Sequence, residues 1–128
     1  MCYHHTMTKI AIIEDDQAIS QMYRMKFEAD GFEVQLANNG RAGVQLVENF
    51  HPDIILLDMQ MPEMTGDEAL AEIRKLPAGK SVPVIILTNL GREEAPKGIE
   101  ALTISSYIVK ADLTPSQVVE RVKKTLSI

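Results

Sequence analysis

The sequence predicts an α/β fold: a five-stranded parallel sheet, doubly wound by helices on both faces, with the chain order (βα)5. Three observations support this fold class. Apolar runs of strand length recur along the chain, stretches of helical length separate them, and the inner runs are apolar at nearly every position. Parallel neighbours need crossover helices, and strands buried on both faces are continuously apolar rather than alternating. The 128 residues and 45% hydrophobic content fit one such domain.

The first strand and helix follow from two adjoining stretches. The run "KIAII" at residues 9–13 is apolar and rich in β-branched residues, which predicts a buried strand. Residues 17–30 then carry Ile19, Tyr23 and Phe27 four positions apart. This spacing predicts an amphipathic helix.

The middle of the chain continues the alternation. "FEVQLA" at 32–37 alternates apolar and polar residues, as an edge strand does, and "NGRAGVQLVENF" at 39–50 predicts the second helix. "DIILLD" at 53–58 and "VPVIILT" at 82–88 are apolar runs that predict the third and fourth strands. Between them, residues 67–76 have the apolar spacing of a third helix.

The last third of the chain supplies the weakest and the strongest helix signals. Residues 91–102 predict a short or late-starting fourth helix, because Pro96 is tolerated only in a first helical turn. "SYIVK" at 106–110 predicts the fifth strand. The final helix, 114–126, begins with Thr114 as N-cap, a proline at its first position and a glutamine that completes a capping box.

Composition excludes several classes of protein. The net charge is −5 and no basic block is present, which argues against direct binding to nucleic acid. The apolar runs are much shorter than a membrane span, and the N-terminus lacks the apolar core of a signal peptide. A cytoplasmic protein with no membrane association is expected.

The domain is predicted to cover residues 9–128, preceded by a disordered leader or expression remnant at 1–8. The only cysteine, Cys2, cannot form an internal disulfide. It forms a potential soft-metal group with His4 and His5, although an unpacked chain end is the simpler interpretation.

Polar residues follow four of the predicted strands at their carboxyl ends. They are Glu14 and Asp15, Asp58, Thr88, and Lys110. Parallel sheets bind ligands at this edge, near the point where strand order reverses. Each residue alone has a structural explanation, such as helix capping or solvation. Together, however, close carboxylates repel one another unless a hard cation or Lys110 offsets their charge. The set predicts a Mg²⁺ (or Mn²⁺) site suited to phosphoryl transfer.

Four motifs in this order carry a family resemblance: "IIEDD", "ILLDMQMPEMTG", "VIILTN" and "YIVKAD". From Lys9 to Leu126 the chain resembles a response-regulator receiver domain of two-component signalling, of the single-domain, chemotaxis-regulator-like kind. The resemblance implies the flavodoxin-like strand order 2-1-3-4-5. It also implies a phosphoprotein that receives its phosphoryl group from a sensor histidine kinase, a phosphotransfer protein or a small phosphodonor.

The resemblance also assigns roles to individual residues. Asp58 matches the phosphoacceptor and, with Glu14 and Asp15, the metal ligands. Lys110 matches the family's lysine, and Thr88 its switch hydroxyl. A further metal ligand is implied at the backbone carbonyl of the residue two positions after the acceptor, which is Gln60.

Signalling is implied to run from Thr88 to Tyr107, an aromatic that swings inward. This movement reshapes the surface of the fourth helix, fifth strand and fifth helix (α4-β5-α5 in the family), where a downstream protein partner binds. The chain is expected to be a monomer or a phosphorylation-dependent dimer. It is expected not to be an enzyme, beyond assisting its own phosphorylation and dephosphorylation.

The sequence departs from the family pattern at two places. Ala111 stands where a cis proline usually follows Lys110, and a cis bond without proline is costly, so either isomer is left open. Asn89 stands where the family favours a small residue. With Gln60 and Leu90 at the positions that tune hydrolysis, slow to moderate self-dephosphorylation is expected.

Two other classes of protein and one variant of the receiver are alternatives. A Mg-dependent aspartyl-phosphate phosphatase carries an acid two residues after its nucleophile, where Gln60 has no acidic proton. A flavin or nucleotide module needs a glycine-bearing phosphate loop, whereas "EDDQA" follows the first strand. The receiver part of a longer DNA-binding regulator remains an alternative to a single-domain regulator.

Overall fold

A computed structural model of the chain describes residues 7–128. The suggested soft-metal group of Cys2, His4 and His5 lies outside these residues. The strands are β1 (Lys9–Ile13), β2 (Glu33–Ala37), β3 (Ile54–Leu57), β4 (Val84–Thr88) and β5 (Ser106–Val109). The α-helices are α1 (Gln17–Ala29), α2 (Gly40–Phe50), α3 (Gly66–Ile73) and α4 (Pro115–Leu126).

The five strands form one parallel sheet in the order β2-β1-β3-β4-β5, which confirms the predicted topology. The order reverses between β1 and β3, because the chain adds β2 on one side of β1 and all later strands on the other. Since every strand points the same way, their carboxyl ends share one edge of the sheet. A ligand site is expected at that edge, beside the ends of β1 and β3.

Two apolar layers cover the sheet, one on each face. Side chains of α2 and α3, such as Val47 and Leu70, pack on one face, while side chains of α1 and α4, such as Phe27 and Val122, pack on the other. All residues of β3 and β4 are buried, as their continuous apolar sequences predicted. None of the helices in the described part of the chain has both the length and the apolar content to cross a bilayer.

Helix caps fix where the strand-to-helix loops end. The Asp16 side chain accepts a hydrogen bond from the Ile19 backbone N–H at 3.0 Å and caps α1. The predicted capping box of Thr114 and Gln117 is confirmed at the start of α4. The cap at Asp16 leaves only two residues, Glu14 and Asp15, between β1 and the capped helix.

The prediction of a fourth α-helix after β4 is wrong. The connection contains two short 3-10 turns instead, Arg92–Glu94 and Ile99–Leu102. Pro96 lies between them, where its missing N–H and its ring prevent a continuous helix. Gly98 then adopts a positive φ of 86° and redirects the backbone. Residues 89–105 are called the β4–β5 segment below.

Candidate functional site

The central pair of strands brings the predicted carboxylates together. Ile13 at the end of β1 pairs with Leu57 at the end of β3, and the Asp58 backbone N–H donates to the Ile13 carbonyl at 3.0 Å. Glu14 and Asp58 are therefore neighbours. Carboxylate oxygens of these two residues and of Asp15 all lie within 4.8 Å of one another. Glu14 and Asp58 are buried, whereas Asp15 is exposed.

Lys110 reaches this cluster from the end of β5. Its Nζ donates to Glu14 Oε1 at 2.5 Å and lies 3.7 Å from Asp58 Oδ2. The lysine side chain is only 11% exposed, so solvent screens the pair weakly. The ammonium thus offsets part of the negative charge that three close carboxylates create.

Glu14 has the most perturbed acidity in the cluster. Burial raises the pKa of its carboxyl group from 4.5 to about 7, and the charge of Asp58 adds to this effect. Hydrogen bonds from Lys110 and from the Asp16 backbone N–H act in the opposite direction. A proton on Glu14 and a cation at the cluster therefore compete near neutral pH.

The loop that follows Asp58 folds closely over it. Asp58 Oδ1 accepts a hydrogen bond from the Gln60 backbone N–H at 3.2 Å. Gly66 N–H donates to the Met59 carbonyl at 3.0 Å, and a Cβ atom at Gly66 would lie 2.2 Å from the Asp58 carbonyl oxygen. Only glycine fits there. Met59 and Met61 are buried and pack in the core.

Thr88 and Tyr107 lie on the two strands beyond β3. Thr88 is fully buried, and its Oγ1 accepts a hydrogen bond from the Leu90 backbone N–H at 3.3 Å. The Tyr107 hydroxyl donates to the Leu90 carbonyl at 3.1 Å, so the ring is buried and points inward. Burial is also the main cause of the raised pKa of Tyr107. Both residues thus contact the backbone of the same residue, Leu90.

Arg92 is part of this arrangement, although no sequence motif pointed to it. Its guanidinium donates to the Tyr107 carbonyl at 2.8 Å and lies 5.8 Å from the centroid of the Tyr107 ring. In the sequence Arg92 is one charged residue in a polar stretch. Its role depends on β5, which packs beside it only in the folded chain.

The positions expected to tune hydrolysis closely follow the acceptor and the switch threonine in the chain, and their exposure differs. Gln60 and Asn89 are exposed, and Leu90 is half-buried. No cis peptide bond occurs among residues 7–128, so the bond between Lys110 and Ala111 is trans. This outcome agrees with the high cost of a cis bond without proline.

The geometry also bears on the flavin or nucleotide alternative. The Asp16 carboxylate caps α1, so an anion already occupies the helix N-terminus where a phosphate would bind.

A cavity of about 940 Å³ lies between α2, α3 and residues 62–64. Its lining does not include Glu14, Asp58 or Lys110.

Comparison with known proteins identifies the family. The model of the response regulator receiver domain matches residues 10–123, and the chain belongs to that family. Receiver domains of two-component systems are phosphoacceptor signalling modules that take phosphoryl groups from histidine kinases and regulate downstream effectors.

Individual relatives agree with this assignment. The chain is 37% identical over 122 residues to the phosphate regulon transcriptional regulatory protein PhoB of Rhizobium meliloti, covering 94% of this chain and 52% of that regulator. It spans smaller shares of two other long relatives, 22% and 32%.

Solved structures show the same fold. The chemotaxis response regulator CheY4 of Vibrio cholerae is 27% identical with a TM-score of 0.84, over 94% of this chain and 99% of that one. The receiver domain of the sensor histidine kinase PA1611 from Pseudomonas aeruginosa is 22% identical with a TM-score of 0.85, over 96% and 100%. That structure holds a magnesium ion in its active site cleft.

Proposed function

We propose that this chain is a phosphorylation-operated switch in which Asp58 accepts a phosphoryl group from a histidine kinase or phosphotransfer protein. The observation that carries the proposal is the position of Asp58. It is a buried carboxylate at the switch point of the sheet, beside Glu14 and Asp15 and 3.7 Å from the Lys110 ammonium. A carboxylate that served only to end a strand or cap a helix would not need two further carboxylates and an ammonium group beside it.

The donor atoms at the site fit Mg²⁺, or Mn²⁺ in its place. Carboxylate oxygens of Glu14, Asp15 and Asp58 would hold the ion, together with the backbone carbonyl of Gln60. Mg²⁺ prefers hard oxygen ligands and keeps several waters, so a few protein ligands are sufficient. When bound, the ion supplies positive charge that makes an anionic phosphoryl group tolerable among carboxylates.

The protein groups then act on the phosphoryl group directly. An Asp58 Oδ atom forms the new bond to phosphorus, while the bond from phosphorus to the imidazole nitrogen of the donor breaks and that nitrogen leaves with its electron pair. In this proposal Lys110 and the Thr88 hydroxyl donate hydrogen bonds to the phosphoryl oxygens. Such transfer depends mainly on positioning and charge, which these residues supply.

The output face consists of the β4–β5 segment, β5 and α4. Phosphorylation draws the Thr88 hydroxyl toward the site and changes its hydrogen bond with the Leu90 N–H. Because the Tyr107 hydroxyl donates to the Leu90 carbonyl, the change reaches Tyr107 through one residue. A downstream protein partner, or a second copy of the chain, then reads the altered face.

The lifetime of the phosphorylated form depends on access for water. The exposed amides of Gln60 and Asn89 and the half-buried Leu90 adjoin the acceptor and the switch threonine. A mixture of amides and one apolar side chain favours slow to moderate hydrolysis. A phosphorylated form that decays within seconds would contradict this part of the proposal.

Intact mass after incubation with acetyl phosphate and Mg²⁺ tests the assignment of the acceptor. The native chain should gain one phosphoryl group, and Asp58→Asn should gain none. Asp53→Asn is a matched control, because this aspartate precedes β3 at the opposite end of the strand and accepts a hydrogen bond from the Lys9 N–H. It should be phosphorylated like the native chain. No gain by the native chain, with Mg²⁺ binding shown independently, would overturn the proposal.

A further inference from the structure

Arg74 joins separate parts of the backbone through its guanidinium group. It lies at the C-cap of α3. Its Nε donates to the Leu102 carbonyl at 2.8 Å and its Nη2 to the Thr103 carbonyl at 2.9 Å. Its Nη1 donates to the carbonyls of Gly79 and Val82 at 2.9 and 2.7 Å. One side chain thus connects α3, the approach to β4 and the end of the β4–β5 segment.

The charge of Arg74 is stabilised by backbone alone. Within residues 7–128 no carboxylate lies within salt-bridge distance of the guanidinium, and burial lowers the pKa of the group. Carbonyls at the end of a helical turn carry partial negative charge and lack partners within the turn, so they suit a half-buried cation such as Arg74. Leu102 and Thr103 supply such carbonyls at the end of the turn Ile99–Leu102.

The end of the β4–β5 segment does not have a relaxed local conformation. Thr103 has a φ of 61°, in the left-handed region that β-branched residues rarely adopt. Such a conformation persists only when surrounding contacts enforce it. Three contacts are available here: Arg74 on the Thr103 carbonyl, the Thr103 N–H donating to the Glu100 carbonyl at 3.0 Å, and the Ser105 N–H donating to the Val84 carbonyl at 2.8 Å.

The opposite end of α3 touches the acceptor. The helix begins at Gly66, which is pressed against the backbone of Asp58 and Met59. It has eight residues, a capping box at Thr65 and a buried apolar side, so it moves as a rigid element about 12 Å long. A displacement of the acceptor loop therefore moves Arg74 with the helix.

We propose that Arg74 is a positioning residue that transmits movement of the acceptor loop through α3 to residues 99–103 of the output face. The inference rests on the proposed function, since it assumes that Asp58 is phosphorylated. The route is separate from the one through Thr88 and Tyr107, which contacts the other end of the segment at Leu90. The segment is thus controlled from both ends.

Hydrogen exchange of the full chain, with and without beryllofluoride and Mg²⁺ as phosphoryl mimic, tests the two routes. In the native chain, amides in 89–95 and in 99–105 should both change their exchange rates when the mimic binds. In Arg74→Met the change at 99–105 should fall at least threefold, while the change at 89–95 persists. In Thr88→Ala the pattern should be reversed.

Two further variants distinguish a specific role of Arg74 from a general loss of stability. Arg74→Lys keeps the charge and the apolar stem, but a single ammonium cannot reach four carbonyls, so the response at 99–105 should fall partway. Arg24→Lys changes an exposed arginine of α1, on the other face of the sheet, and should respond like the native chain. The measured quantity is the change in exchange rate that the mimic causes. A general loss of stability would affect residues 89–95 and 99–105 alike, and would not abolish the change at one of them alone.

The possible failures are distinguishable. If acetyl phosphate transfers no phosphoryl group to Asp58, the proposed function fails. If phosphorylation occurs but Arg74→Met and Arg74→Lys keep the native response at 99–105, the role of Arg74 is wrong and the proposed function stands. Loss of both responses in Thr88→Ala, at a mimic concentration shown to saturate this variant, would likewise overturn the separate route.

Discussion

Lys110 and Glu14 are 96 positions apart in the chain, yet the lysine Nζ donates to the glutamate Oε1 at 2.5 Å in a nearly dry setting. The same ammonium lies 3.7 Å from Asp58. Lys110 is therefore placed between two carboxylates that have different proposed roles, one as metal ligand and one as acceptor. A cation held by Glu14 would compete with the lysine for the glutamate oxygens and would leave the ammonium beside Asp58.

We predict that the affinity for Mg²⁺ rises with pH. The Glu14 pKa of about 7 means that its carboxyl group is mostly protonated at pH 6 and mostly ionised at pH 8. Competition between one proton and the metal gives an apparent affinity about tenfold higher at pH 8 than at pH 6. Calorimetric titration at both pH values measures the ratio. Glu14→Gln should bind more weakly and lose most of this dependence, and equal affinities in the native chain would contradict the prediction.

The stability of the metal-free protein should change with pH in the opposite sense. The folded pKa of Glu14 is raised above its unfolded value of 4.5, so the folded state binds more protons between about pH 4.5 and 7. The free energy of unfolding therefore falls as pH rises through this window, by up to about 3 kcal/mol. Urea denaturation at a series of pH values measures the slope. Glu14→Gln should flatten the profile, and an unchanged slope in this variant would assign the effect to other groups.

Gly66→Ala should damage both the fold and the site. The new Cβ would meet backbone atoms of Asp58 and Met59, which cannot rotate away as a side chain does. We expect a loss of about 2 kcal/mol in unfolding free energy and slower phosphorylation by acetyl phosphate. Gly91→Ala is the matched control, because its Cβ would meet only the Glu94 side chain at 3.3 Å, and it should stay within about 0.5 kcal/mol of the native protein. Equal stability of the two variants would contradict this packing argument.

Tyr107→Phe removes the hydroxyl that holds the Leu90 carbonyl. The expected loss is about 1 kcal/mol of unfolding free energy, together with shifted amide resonances at Leu90 and Gly91. Tyr23→Phe serves as the control, since the Tyr23 hydroxyl makes no hydrogen bond within residues 7–128 and the ring is equally buried. If both variants lose the same stability, the hydrogen bond to Leu90 contributes nothing specific.

The fold could be predicted because local and long-range requirements agree. The apolar runs at 53–58 and 82–88 fit only strands buried on both faces, and Thr114 with the following proline marks a helix start without any tertiary information. Convergence of Glu14, Asp58 and Lys110 follows from strand direction alone, once the sheet is parallel.

What the sequence did not reveal depends on contacts across the chain. Pro96 predicted a short or late-starting fourth helix, but the 3-10 turns that replace it end in a conformation that Arg74 contacts from 28 positions before Leu102. In the sequence Arg74 is an ordinary arginine near the end of the predicted third helix. Its partners are backbone carbonyls, which have no residue-specific signature. Likewise, Lys110 was expected to offset the acidic charge, but its closer contact with Glu14 than with Asp58 is set by side-chain packing.

The short 3-10 turns of the β4–β5 segment give the output face an unusual mechanical property. An α-helix in this place would hold itself together through its own ladder of hydrogen bonds, and a partner would have to accept its shape. Here the backbone is held by isolated hydrogen bonds within its turns, and by side-chain hydrogen bonds that involve Arg74, Tyr107 and Arg92. A local opening that releases them requires little of the sheet to unfold. We therefore expect a protease added to the folded protein to cut this stretch before it cuts any α-helix.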